Sequence, residues 1–146
     1  MSTLEKLLTN KSSSVWTVAP EDTVFDAIKM MTEKLVGALP VVENDKLVGI
    51  LSERDYTRKI ILEGKTSKET KVKEIMTAKV LHASPTQKIV ECMKVMTEHH
   101  IRHLPVLTNG KLTGMLSIGD VLEYIISDQK FKIEQLENDL SWGESY

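Results

Sequence analysis

A single cysteine, Cys92, excludes an intramolecular disulfide, so packing alone must hold this fold together and a reducing compartment is the simple setting. No apolar run approaches the ~20 residues that cross a bilayer, which leaves no expected membrane role. Neither sign of charge is in excess. The 19 Lys and Arg against 21 Asp and Glu give a formal net charge of -2, with no global pull toward nucleic acid or an anionic surface. Met1 to Asn10 lack the apolar centre of a secretory signal and the Arg/Ser-rich, acid-poor character of a transit peptide. The expected location is cytoplasmic, or an organellar matrix where a presequence has been removed. The remaining composition, 41% hydrophobic and 27% charged over 146 residues, fits one compact domain or two small halves sharing a core.

The dominant feature is an internal duplication. Shifted by 65 residues, the sequence matches itself without a gap, with about 17 identities over roughly 42 aligned positions. Pro20 falls on Pro85 and Met31-Thr32-Glu33 on Met96-Thr97-Glu98. Leu39-Pro40-Val41 falls on Leu104-Pro105-Val106, and Gly49, Leu51, Ser52 and Asp55 fall on Gly114, Leu116, Ser117 and Asp120.

Periodicity reads each copy. Phe25, Ile28, Met31 and Leu35 stand at helical spacing, so Thr23 to Lys34 is an amphipathic helix capped by Thr23 or Asp22. Leu39 to Val42, a polar turn, and Lys46 to Leu51 form a β-hairpin. Ser52 opens a second helix to about Glu63, stopped by Gly64. The second copy predicts a helix over Thr86 to His99, a hairpin across Thr108-Asn109-Gly110, and a helix from Ser117. Short strands at Val15 to Val18 and Val80 to Ala83 precede these units, and Leu4–Leu8 and Val72–Met76 read as matching lead-in helices. The divisions are 1–64 for the first repeat with its lead-in helix, 65–71 for a polar linker, 72–127 for the second repeat, and 128–146 for a helical extension and tail. The class is α+β and sandwich-like, two β-α-β-β-α units related by a pseudo-twofold.

The stretches Leu39 to Val42 with Leu47 to Asp55, and Leu104 to Leu107 with Leu112 to Asp120, resemble the CBS domain, named for cystathionine beta-synthase, in the tandem arrangement called a Bateman module. The resemblance runs from Leu4 to Ile126. It implies a non-catalytic regulatory module that binds an adenosine ligand (AMP, ADP, ATP or NAD) between its repeats, requires no cofactor, forms a disc-like homodimer, and acts on a separate target protein. Ser52 and Ser117 stand at helix starts, where free N–H groups favour phosphate. Asp55 and Asp120 can accept ribose hydroxyls. By resemblance, adenine contacts fall to Val18, Pro20, Ala38, Leu39 and Pro40 in one half and to Ala83, Pro85, His103, Leu104 and Pro105 in the other, with backbone at Thr17 and His82. Arg54, Arg102 and His103 are the phosphate partners. The copies differ, Glu53-Arg54 against Ile118-Gly119 and Gly37-Ala38 against Arg102-His103, so two unequal sites are expected.

Plainer readings stand beside these. Ser-x-x-Asp is also a helix-capping pattern, which would make the module a purely structural interaction or dimerisation unit. His99 and His103 have metal-ligand spacing, but Pro105 ends the helix between them, so no metal is expected. His100 falls on Leu35 and reads as a packed or interface histidine. Cys92 falls on Ala27 and reads as a small packing residue. Leu122, Ile125, Gln129, Ile133, Leu136 and Leu140 carry helical spacing past the repeat and suit another chain or the domain itself. Trp142 and Tyr146 either dock a partner or cover a core edge.

Overall fold

The computed structural model describes residues 3–10 and 15–144. In chain order run α1 (Leu4–Asn10), α2 (Val24–Lys34), β1 (Ala38–Glu43), β2 (Lys46–Ser52), α3 (Glu53–Tyr56), α4 (Val72–Ile75), α5 (Ile89–Glu98), β3 (His103–Thr108), β4 (Lys111–Ser117) and α6 (Ile118–Glu144). α3 continues into a π-type turn over Thr57–Ile61. The class is α+β. The side chain of Trp142 and the whole of Tyr146 lie outside the described residues.

Each half is built on one antiparallel hairpin, β1–β2 or β3–β4. The two-residue turns need positive φ at both central positions, and Asn44 (50°) with Asp45 (62°) and Asn109 (52°) with Gly110 (81°) supply it. The expected lead-in strands shrink to one parallel bridge each, Val18 to Val41 and Ala83 to Val106. Proline explains this. Val18 N–H donates to the Pro40 carbonyl at 3.1 Å, and Val42 N–H donates to the Val18 carbonyl at 2.9 Å. The next rung of a parallel ladder would need an N–H on residue 40, which proline lacks. Pro105 stops the second ladder in the same way.

The helices start and stop by matching chemistry. Thr23 caps α2, accepting from Asp26 N–H at 3.1 Å. The helix expected from Thr86 begins instead at Ile89. Ser84 to Gln87 form a turn in which the Gln87 side chain accepts from Ser84 N–H, as Asp22 accepts from Ala19 N–H. Lys88, at the place of Thr23, provides no side-chain cap. α2 and α5 both end on a left-handed residue, Leu35 (φ 56°) and His100 (φ 53°). Both side chains are exposed, so what the two positions share is backbone conformation, and the packed reading of His100 is corrected. Gly64 (φ 68°) ends the first repeat's second helix. Gln129 stands at the matching place, and α6 runs on to 27 residues.

The cores do not follow sequence order. Val72 and Ile75 of α4 pack with Val24, Met31, Leu39, Leu51 and Ile60 in the first repeat. Leu4 and Leu7 of α1 pack with Ile89, Met96, Leu104, Leu116 and Val121 in the second. Each lead-in helix therefore completes the core of the other repeat, and α1, grouped by sequence with the first half, belongs by packing to the second. Cys92 is buried in that second core, and burial pushes its thiol pKa up. The glycines of the two motifs permit the contact. A Cβ on Gly49 would meet Met76 Sδ at 2.5 Å, and one on Gly114 would meet Leu8 Cδ2 at 3.2 Å.

The polar connector is tied down. Carbonyls of Thr70 and Ser67 accept from Val24 and Phe25 N–H at 2.9 and 3.0 Å, satisfying the first turn of α2. Glu21 pairs with Lys71 at 2.5 Å and with Lys73 at 2.7 Å. Hydrogen bonds from those two ammonium groups hold its carboxyl near a pKa of about 2, below its ordinary 4.5.

Leu4→Ala should cost ~2–5 kcal/mol in urea unfolding, with hydrogen-exchange protection lost first in β3 and β4. Loss confined to β1 and β2 would contradict the crossed packing. Glu21 is a carboxylate with a lowered folded pKa, so its contribution is complete above pH 4.5 and disappears as pH falls toward about 2. Glu21→Gln should flatten stability against pH in that window. Because the pair is exposed, molar salt should flatten the wild type in the same way.

Candidate functional site

Both Ser-x-x-Asp corners are complete capping boxes in geometry. Ser52 Oγ accepts from Asp55 N–H at 3.2 Å, while Asp55 Oδ2 accepts from Ser52 N–H at 3.0 Å and from Ser52 Oγ at 3.1 Å. Ser117 and Asp120 repeat the arrangement with both backbone bonds at 3.1 Å. Lys59 Nζ lies 3.4 Å from Asp55 Oδ1 and donates to the Ile75 carbonyl at 2.8 Å. The first corner is thereby fastened to α4. The second carries Tyr124 at the place of Lys59.

The first corner opens on a cleft of about 880 Å³ between the repeats. From the first repeat come Gly37, Ala38, Ile50, Ser52, Glu53, Arg54, Asp55, Thr57 and Arg58. From the second come His99, His100, Ile101, Arg102, His103 and Pro105, and the crossing segment adds Thr77, Lys79, Val80 and Leu81. Arg54, Arg58, Lys79 and Arg102 outnumber Glu53 and Asp55, so the cleft is cationic over apolar walls. Arg54 Nη1 donates to the His100 carbonyl at 3.1 Å, a direct bond from one repeat to the other. The αL backbone at His100 belongs to the same turn. The His103 ring lies over Gly37, whose missing Cβ would stand 3.2 Å from His103 Cε1. The corner strands meet their own repeats symmetrically. Glu53 N–H donates to the Gly37 carbonyl at 3.0 Å, and Ile118 N–H donates to the Arg102 carbonyl at 2.8 Å.

The expected site residues divide clearly. Ala38, Ser52, Arg54, Asp55, Arg102, His103 and Pro105 come together in this one cleft. Val18, Leu39, Ala83 and Leu104 do not, because their side chains fill the two cores. Pro20 and Pro40 are also buried, and their carbonyls accept from Lys73 and Val18 N–H. Thr17 and His82 are exposed outside the cleft lining. Pro85 lines a separate hollow of about 580 Å³ with Glu5, Leu8 and Asn109. Ser117 and Asp120 stand at the opposite corner, outside the cleft lining. Residues 11–14 lie outside the described residues.

Sequence reasoning missed Thr77, Lys79, Val80 and Leu81. No local signal in the sequence marks them, because they reach the cleft only through the crossed placement of α4. Arg102 and His103 were expected to distinguish two clefts. Here they share one cleft with Arg54, whose counterpart is Gly119. The corresponding asymmetry on the first lead-in is Trp16, at the place of Leu81, with Lys34 Nζ 4.0 Å over its ring. Among the described residues no group of His, Cys, Asp and Glu side chains is placed to hold a metal ion.

A family model described as the CBS domain matches residues 10–62 and 72–127. The chain is 45% identical over 121 residues to the mitochondrial CBS domain-containing protein CBSX3 of Arabidopsis thaliana, covering 80% of this chain but 59% of that one. It is 32% identical over 110 residues to CBS domain-containing protein YhcV of Bacillus subtilis, covering 75% and 78%. A solved structure of a protein with CBS domains from Burkholderia ambifaria superposes with a TM-score of 0.85 at 50% identity, covering 88% of this chain and 96% of that one.

Asp55→Ala removes the reciprocal cap and the partner of Lys59. It should lower stability by ~1–2 kcal/mol, measured by denaturant midpoint at unchanged slope. No change in midpoint would show that the corner does not depend on the box.

Proposed function

Because the chain belongs to the CBS-domain family, with two copies in tandem, we propose that it is a regulatory module binding an adenosine ligand (AMP, ADP, ATP or NAD) between its repeats and reporting occupancy to a separate protein. The observation that carries this is the cleft itself. One repeat brings Ser52 and Asp55, the other brings Arg102 and His103, and the crossing segment brings Lys79. Ile50, Val80 and Pro105 offer apolar walls for a base. Asp55 offers carboxylate oxygens for ribose hydroxyls, and Arg54, Arg102 and Lys79 offer the charge for phosphates. The ligand would bridge both halves where Arg54 already binds the His100 carbonyl. It can shift their arrangement only to the extent that it prefers one arrangement over another. No helix among the described residues is long and apolar enough to cross a membrane. We place the module in the cytoplasm or an organellar matrix.

A second reading, an interaction module without physiological nucleotide, is favoured by the capping boxes, which are satisfied without a ligand. Calorimetric titration separates the two. AMP, ATP or NAD should release heat with a dissociation constant of roughly 1 mM or tighter. Arg102→Ala and Lys79→Ala should weaken that binding by about tenfold at unchanged melting temperature, since each removes one charge-assisted contact from an exposed position. Silence from every adenosine ligand at millimolar concentration would sink the nucleotide reading and leave the interaction module.

A further inference from the structure

His99 and His100 line the cleft, and the nucleotide reading gives their imidazoles no role. Both residues are exposed, on a backbone that is fixed. His99 N–H donates to the Val95 carbonyl at 3.1 Å, His100 N–H to the Thr97 carbonyl at 3.4 Å and Ile101 N–H to the Met96 carbonyl at 3.0 Å. The His100 carbonyl in turn accepts from Arg54 Nη1 at 3.1 Å. The turn that carries the two histidines is therefore tied to α5 on one side and to the first repeat on the other. It closes the C-terminal end of a ten-residue helix whose last turn holds no Lys or Arg. The dipole at such an end favours a cation. α2 meets that demand with Lys34, and His99 stands at the place of Lys34. A permanent cation in one repeat is thus a titratable one in the other.

Charged groups face the pair from each side of the cleft. α3 and its π-type continuation bring Glu53, Arg54, Asp55 and Arg58, the crossing segment brings Lys79, and the turn into β3 brings Arg102 and His103. Asp55 is 3.4 Å from Lys59, and on α5 itself Glu98 is 4.0 Å from Lys94. Permanent cations therefore outnumber carboxylates around the two imidazoles. An anionic ligand reverses that balance, because an opposite charge within ~4–6 Å favours the charged imidazole.

We propose that His99 and His100 are ligand-binding residues in their protonated form, so that the cleft takes up protons as it takes up an anionic nucleotide and binds more tightly at lower pH. This rests on the nucleotide reading above. Imidazole is the side chain whose charge ordinarily changes between about pH 5 and 8. A proton held more tightly in the complex than in the free protein adds affinity. That gain is complete at low pH and is lost as pH rises through the range in which the bound imidazoles deprotonate. The module then answers to nucleotide and acidity together. Arg54 and Arg102 cannot supply that response, since arginine stays charged throughout.

Titration calorimetry on the full chain with NAD and with ATP, from about pH 8 down to about pH 6, tests it. NAD is the cleaner probe. Its bridging phosphates hold their charge in this range, whereas a terminal phosphate gains a proton near pH ~6 and opposes the effect. NAD should bind about tenfold tighter at the acid end. Repeating the titration in buffers of low and high ionisation heat should show net proton uptake. His99→Gln with His100→Asn should keep the melting temperature, since asparagine tolerates the αL backbone at position 100. It should remove most of the proton uptake and of the pH dependence, leaving the share of His103. His99→Lys, which installs the residue of the first repeat, should bind more tightly than the wild type at about pH 8 and gain less on acidification. Affinity independent of pH, or a double variant with the pH dependence of the wild type, overturns the proposal and leaves nucleotide binding standing. Silence from both nucleotides at every pH fails the nucleotide reading, and the proposal falls with it.

Discussion

The crossing of the two lead-in helices is the constraint on which the rest depends. A two-stranded hairpin with one helix on it cannot close a core in about 60 residues. Here the missing wall of each core comes from the helix that precedes the other repeat: Leu4 and Leu7 close the second, Val72 and Ile75 the first. Gly49 and Gly114 are set by this packing, since Met76 and Leu8 occupy the space of their absent Cβ atoms. In the shared sequence motif those glycines lie close to the Ser-x-x-Asp corner, but their neighbours here are side chains of the lead-in segments.

The crossing also makes the cleft. After α4 packs on the first repeat, the chain must travel back to the second, where Ala83 bridges Val106. Thr77, Lys79, Val80 and Leu81 lie on that path and floor the space in front of Ser52 and Asp55. Thr77 bridges Ile50 of β2, and Pro105 limits the returning strand to one rung, so Val80 and Leu81 are not absorbed into the second hairpin. A sheet-breaking residue thus leaves backbone and side chains available at the cleft.

Much of this was legible in the sequence. The repeat, both hairpins and their turns, Thr23 as a cap, Gly64 as a stop and the long final helix follow from residues whose local chemistry decides the outcome. The capping reading of Ser-x-x-Asp was also available, and the geometry realises it at both corners. Legibility failed where tertiary placement decides. Val18, Leu39, Ala83 and Leu104 are apolar and beside the site in sequence, but tertiary packing buries their side chains in the two cores. α1 looks like part of the half that it precedes, because nothing local in Leu4 to Leu8 says which core it enters. His100 matched Leu35 through a shared αL backbone, a property that composition does not report.

The crossed helices bear on how such a molecule could have arisen. By the pseudo-symmetry of the duplication, a chain with a single repeat and its lead-in helix would send that helix into another copy and receive one in return. It would be folded only as an exchanged pair, and its stability would depend on concentration. Joining two copies end to end replaces that encounter with a tether, whose effective concentration of the partner is millimolar for a short linker. The seven residues from Lys65 to Lys71 can be seen in this light, as the remnant of an intermolecular contact made permanent.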